Sequence, residues 1–214
     1  MNTILLTGFE PFAGETINPS WQIASALHGH HVGPAQVVAV QLPTVFQRAL
    51  EALDAALNFH QPQLVLALGQ AGGRTDLSVE RVAINVDDAR IPDNARQQPV
   101  DHPIVPGGPA AYFSTLPIKT LVATLHRAGI PASVSQTAGT FVCNHVFYGL
   151  QHRLAGTGVR SGFVHVPYVP EQVRGKAGVA CLPLPTLVEG VRLLLDTAWH
   201  HRGPDVQLAA GAEF

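Results

Sequence analysis

An α/β fold, with a mainly parallel but mixed central sheet covered by helices on both faces, is predicted by three features of the sequence. Short apolar strand-like runs alternate with segments whose apolar residues recur at three- and four-residue steps. Most of the runs stop at Gly or Pro. No linker-like composition interrupts the 214 residues, so 1–214 is expected to be a single domain around one sheet.

The elements follow in order. Asn2 to Thr7 is an apolar run ending at Gly8, with no basic segment and long apolar stretch of the kind that marks a signal peptide. Gln36 to Leu42 is a Val-rich run closed by Pro43. Thr44, with Gln47 three residues later, has the form of a capping box. It would open a helix with Phe46, Ala49, Leu50, Leu53 and Leu57 on its apolar face. Gln63 to Leu68 is a strand stopping at Gly69, and Ser78 to Val86 alternates as a strand with one polar face. Residues 90–116, rich in Pro, Gly, Asp and Asn, form a long ordered loop.

The pattern continues with a helix from Pro117 to His126, ended by Gly129, and a strand from Ala132 to Thr137. A helix from about Cys143 to Leu154 leads to a strand from Ser161 to Val166, closed by Pro167. Thr186 and Glu189 open the last helix, and the small, polar tail 203–214 is expected to fray.

Composition narrows the partners. Charged residues make up only 13% and apolar ones 46%, which suggests surface buried between subunits of a homo-oligomer. A net charge of −2 provides no basic field for nucleic acid. No apolar run approaches the roughly 18 to 20 residues that span a bilayer. Two cysteines make no disulfide framework, which points to a reducing, cytoplasmic compartment with free thiols.

In such sheets, sites lie at the carboxyl ends of strands, here Gly8–Phe12, Gly69–Arg74, Gly139–Asn144 and His165–Tyr168. Cys143 stands where a turn meets a helix start, whose positive dipole end favours thiolate. It is either a nucleophile or a small buried hydrophobe; Cys181, among apolar neighbours, is read as core. His165, near the end of an apolar strand, is either a hydrogen-bonded core residue or a general base. Glu80 is either a solvated partner of a neighbouring arginine or the group that orients an imidazole. Phe9 and Phe12, close together at a strand end, suit core packing or the faces of a small flat ligand.

Other chemistries find no support. The Gly69-Gln70-Ala71-Gly72-Gly73-Arg74 loop matches neither the dinucleotide fingerprint nor the lysine-containing phosphate loop. His28, His30 and His31 lack the spacing and carboxylates of a catalytic zinc site, so neither metal nor cofactor is expected.

Seven segments stand in order along the chain: Gly8 to Phe12, Asn18 to Trp21, Gly69 to Arg74, Glu80 to Asn85, Asp88 to Asn94, Ser135 to Asn144 and His165 to Tyr168. Together they resemble the pyroglutamyl peptidase I family of cysteine peptidases. The resemblance implies a three-layer α/β/α fold, often tetrameric, that removes N-terminal pyroglutamate from peptides. It implies a triad of Cys143, His165 and Glu80, with Arg90 near the oxyanion. It also implies a pyroglutamyl pocket lined by Phe9, Phe12, Gln70, Ile91, Phe141 and Val142. His145, just beyond Cys143-Asn144, bears on the charge near the thiol. Two rivals remain open: a nucleoside phosphorylase or related α/β hydrolase with no need of a thiol, and an inactive relative that only captures modified N-termini.

Overall fold

A computed structural model describes residues 2–211 of the chain. In order, the elements are β1 (Asn2–Phe9), α1 (Pro19–Ala26), β2 (His31–Val32), β3 (Ala35–Leu42), α2 (Arg48–His60), β4 (Leu64–Gln70) and β5 (Leu77–Glu80). There follow β6 (Val82–Ile84), β7 (Ala111–Phe113), α3 (Ile118–Arg127), β8 (Ala132–Ser135), α4 (Val142–Leu154), β9 (Arg160–Val166) and α5 (Leu184–His200). A single turn of 3-10 helix, Pro170–Val173, lies between β9 and α5.

Seven strands form one sheet in the order β2-β3-β1-β4-β9-β5-β8. β3, β1, β4 and β9 run parallel, as do β5 and β8, while β2 and β5 are antiparallel to their neighbours β3 and β9. The mixed, mainly parallel sheet expected from the alternating pattern is present. Its strands are apolar on both sides because both sides are covered. Leu64, Leu66 and Leu68 of β4 face a core shared with α1, α3 and α5, and Val65 and Ala67 face the core under α2 and α4. Each such side chain, fully buried, contributes about 1.5–3 kcal/mol relative to exposure.

Local chemistry fixes the ends of elements. Asn18 caps α1 by accepting from Ser20 N at 3.1 Å, with Pro19 in the first turn. Gly8 lets this helix lie directly on β1, since a Cβ there would collide with the Ser20 carbonyl.

Four expectations change. The helix read from Thr44 begins only at Arg48, because Thr44 N and Oγ1 both donate to Glu10 (3.0 Å each) and Gln47 takes a left-handed φ of 57° that no helix continues through. The strand read as Ser78–Val86 is two strands. Arg81 separates them, its N–H donating to Ser135 O and its carbonyl accepting from Ser114 N, and β6 pairs with β7 in a separate two-stranded sheet. That pairing also gives the long loop its only strand, β7. The tail from Gly203 is anchored: Asp205 accepts from Lys119 N, Thr120 N and Thr120 Oγ1 at the start of α3, and Arg81 Nη2 donates to Ala210 O. Its last three residues, 212–214, lie outside the described residues.

Candidate active site

Strand alternation brings Glu80 and His165 to one face of the sheet. On β9, Val164 and Val166 belong to the α1/α3/α5 core and Phe163 to the opposite core, so His165 points with Phe163 toward α4. On β5, Leu77 and Val79 belong to the first core, which turns Ser78 and Glu80 toward α4 as well. Ser78 pairs with His165 across the antiparallel ladder, making Glu80 the diagonal neighbour of the imidazole. The polar face read from the sequence is therefore a buried one: Ser78 is 2% exposed and Glu80 0%.

Cys143 reaches the same place from α4. The turn after β8 delivers it to the first helical turn, where its N–H needs no intrahelical acceptor. Gly69 is the register partner of His165, and a Cβ at Gly69 would lie 2.8 Å from Cys143 Sγ and 2.7 Å from Phe163 Cζ. Asn144, fully buried, ties the helix start to β6: its Oδ1 accepts from Ile84 N (3.0 Å), and its Nδ2 donates to Ile84 O and Val86 O.

A fully buried carboxylate, Glu80, contacts both the His165 imidazole and the partly exposed guanidinium of Arg74. His165 Nδ1 is 2.7 Å from Glu80 Oε1. The carboxylate can only accept, so Nδ1 carries the hydrogen and Nε2 keeps its lone pair. Burial lowers the His165 pKa, against the opposing effect of its hydrogen bond to Glu80. Burial, and then the Glu80 charge, push the Cys143 thiol up to about 12, with Arg74 pulling the other way. Arg74 Nη1 binds the same Glu80 oxygen at 2.9 Å, while its Nη2 donates to Thr137 O. Glu80 is thus not the solvated partner of Arg81; it is a buried carboxylate held by His165 and Arg74.

The residues expected to line a pocket divide. Phe12 and Phe141 are partly buried, their ring centroids 6.1 Å apart, and Phe46 meets Phe141 edge-on at 5.4 Å. Phe9 turns inward instead, 2% exposed and packed on Phe163, and Val142 is fully buried at the start of α4. Ile91 is partly buried in the long loop, and Arg90 is exposed, with no partner among the described residues. Gln70 is 7% exposed at the end of β4 and accepts from Gln172 Nε2 at 2.8 Å.

Arg74, Phe46, Asn144 and Gln172 were not singled out from the sequence, although Arg74 ends the glycine loop and Asn144 follows the cysteine. His145 has both nitrogens committed, Nδ1 to Asp87 Oδ2 (2.8 Å) and Nε2 to the Gln47 N–H (3.1 Å). Cys181, expected in the core, is only partly buried and bridges Tyr168. Among the described residues no group of three His, Cys, Asp or Glu is placed to hold a metal ion.

Known proteins resemble this chain in sequence and fold. A family model described as pyroglutamyl peptidase matches residues 2–201. The chain is 60% identical to a pyrrolidone-carboxylate peptidase of Cupriavidus taiwanensis over 99% of both chains. It is 55% identical to one of Bacillus cytotoxicus over 92% of this chain and 93% of that one. Among solved structures, the pyroglutamyl peptidase I of Bacillus amyloliquefaciens superposes with a TM-score of 0.93 at 47% identity, covering 97% of this chain and 99% of that one. A mutant pyrrolidone carboxyl peptidase of Pyrococcus furiosus gives 0.90 at 44% identity, covering 92% and 98%. With a match of this extent and identity, the chain belongs to the pyroglutamyl peptidase family of cysteine peptidases.

Proposed function

We propose that this chain is a cysteine-type pyroglutamyl peptidase that hydrolyses the bond after an N-terminal pyroglutamyl residue, with Cys143 as nucleophile, His165 as acid and base, and Glu80 orienting the imidazole. The observation that carries the assignment of roles is the buried 2.7 Å contact between Glu80 and His165 on the face of the sheet that receives Cys143.

Pyroglutamate is a flat lactam without an ammonium group, so its recognition needs apolar faces and paired amide edges. Phe12 and Phe141 supply the faces, assisted by Ile91, with Phe46 backing Phe141. Phe9 and Val142 act from beneath as buried supports. Backbone groups at the end of β4, at Gln70, serve the polar edge.

Cys143 Sγ attacks the pyroglutamyl carbonyl carbon as its proton passes to His165 Nε2. A neutral thiol beside a neutral imidazole makes this transfer part of the attack rather than a prior ionisation. The Cys143 N–H at the helix start faces the developing oxyanion, and the exposed guanidinium of Arg90, without a partner among the described residues, joins it. His165 returns the proton to the departing amine, which leaves a thioester. Water, deprotonated by His165, then releases pyroglutamate and the thiol. Glu80 stabilises the transient imidazolium, and Arg74 holds the same Glu80 oxygen at 2.9 Å.

The substrates are peptides with N-terminal pyroglutamate, and the reaction calls for no metal or cofactor. We further propose that the chain is a single domain over 1–214, works in the cytoplasm, and assembles as a homotetramer. No helix among the described residues is long and apolar enough to cross a membrane, and exposed Phe59 and Phe113 (83% and 70%) suit contacts between subunits.

The test is release of a fluorescent amine from a pyroglutamyl amide, with the prolyl amide as control and chelator present. Wild type should act only on the former, and Cys143→Ala should lose several orders of magnitude in rate. Folded wild type that releases nothing overturns the proposal.

A further inference from the structure

His145 and Asp87 form a second buried histidine–carboxylate pair, and His145 stands two residues beyond the nucleophile on α4. The Gln47 N–H can only donate, so His145 Nε2 accepts from it at 3.1 Å. Nδ1 then carries the hydrogen and donates to Asp87 Oδ2 at 2.8 Å. With both nitrogens committed, His145 has no lone pair left to take a proton from substrate.

The bond to Gln47 falls on a strained turn. Gln47 has φ 57° and ψ −53°, and the Arg48 N–H donates back to Phe46 O, which closes a γ-turn of the rare kind. A non-glycine residue keeps such a conformation only where its surroundings impose it. Here two side chains remote in sequence do so: Asp93 Oδ2 accepts from Phe46 N at 2.9 Å, and His145 Nε2 accepts from Gln47 N. Asp87 is itself fixed, its backbone pairing with that of His102 in both directions (2.7 and 3.0 Å).

The turn carries Phe46. Its ring stands edge-on to both Phe141 and His145, with centroids 5.4 Å from each. Phe141 and His145 are one turn apart, His145 N donating to Phe141 O, so Phe46 fills the notch between them. Phe141 and Cys143 pack on the same core, under α2 and α4.

We infer that His145 is a positioning residue for substrate binding: by accepting from the Gln47 N–H, it holds the γ-turn that presses Phe46 against Phe141, one face of the lactam pocket. The inference rests on the reading of Phe141 as a pocket wall. Without the acceptor the turn relaxes and Phe141 loses the ring behind it. The loss then falls on binding of the lactam rather than on bond breaking.

Three substitutions separate the acceptor from mere packing. His145→Asn keeps a donor for Asp87, and His145→Phe keeps a ring beside Phe46, but neither accepts from Gln47. In each, KM for the pyroglutamyl amide and the calorimetric Kd of 2-pyrrolidone should rise about tenfold, with kcat changed much less. His145→Gln lacks the ring but returns an acceptor near the Nε2 position, so its KM and Kd should lie nearest wild type. In a Phe46→Ala background none of the three should have much further effect. Wild-type KM and Kd in whichever of the Asn and Phe variants folds, or a Gln variant as impaired as these, would overturn the inference. Phe141→Ala should itself raise KM; if it does not, the pocket reading fails and the inference with it. Wild type that binds 2-pyrrolidone but releases no amine would instead sink only the catalytic proposal, since Kd still reports on the wall.

Discussion

Glu80 Oε1 lies 2.7 Å from His165 Nδ1 across the antiparallel junction where β5 meets β9. Glu80→Gln keeps an acceptor for Nδ1–H but removes the charge that steadies an imidazolium, and it deprives Arg74 of its counter-ion. We expect kcat to fall by about 10²- to 10⁴-fold with KM little changed. Steady-state kinetics on the pyroglutamyl amide decide it, and a wild-type kcat would remove Glu80 from the mechanism.

Gly69 separates the thiol from the ring of Phe163. A Cβ there would sit 2.8 Å from Cys143 Sγ and 2.7 Å from Phe163 Cζ, closer than real side chains approach. Gly69→Ala should therefore overpack the site, costing about 1–3 kcal/mol of stability. The displaced thiol should also lower kcat/KM by about 10²-fold, as misplacement of a reacting group does. Urea melts and kinetics on the same preparation separate the two effects. An alanine variant with wild-type activity would show that the thiol has room to move.

The neutral pair predicts a stability optimum bounded on both sides. In acid, unfolded His165 takes up a proton near its ordinary 6.5, while burial holds the folded imidazole to a lower pKa. Stability is thus lost as pH falls below about 6.5 toward that lower value. In alkali, the unfolded thiol ionises near 9.0, but the folded one keeps its proton up to about 12, so stability falls as pH rises through that window. Cys143→Ala should flatten the alkaline limb and leave the acid limb in place, as denaturant melts across a pH series would register. An alkaline limb unchanged in the variant would place the ionising group elsewhere.

Periodicity made the layers legible. Leu121 and Leu125 in α3, or Leu187, Val191 and Leu194 in α5, repeat at helical spacing, and the same residues are fully buried. The strand-end rule also selected the segments of Cys143 and His165, which the structure brings together around Gly69. What stayed hidden depends on long-range contacts. The break at Arg81 is made by Ser135 and Ser114, neither near it in sequence. Glu80 beside Arg81 looked like a surface pair, because nothing local reveals that its strand buries both faces. The partnership of Arg74 with Glu80 and that of Gln172 with Gln70 likewise join segments 6 and 102 residues apart, the latter through loops without a periodic signal.

The tail supplies a cap that α3 lacks locally. Pro117, at the helix entry, has no side chain able to accept, and the carboxylate of Asp205 takes its place, accepting from Lys119 N, Thr120 N and Thr120 Oγ1 at 2.8, 2.8 and 2.6 Å. Burial alone would push the Asp205 carboxyl up; the hydrogen bonds from Thr120 Oγ1 and from the N–H groups of Lys119, Thr120 and Val206 bring it below its ordinary value. Its contribution is therefore present above the ordinary carboxylate range and lost as pH falls through the depressed pKa. Asp205→Ala should cost about 1 kcal/mol, typical of a lost cap, and lower Tm by about 2–4 °C at neutral pH. The difference from wild type should shrink in acid. Because α3 packs on the face of the sheet opposite α4, kcat/KM should not change. A Tm equal to that of wild type at neutral pH would mean that the tail only rests against α3, and a loss of activity would mean that it reaches the site.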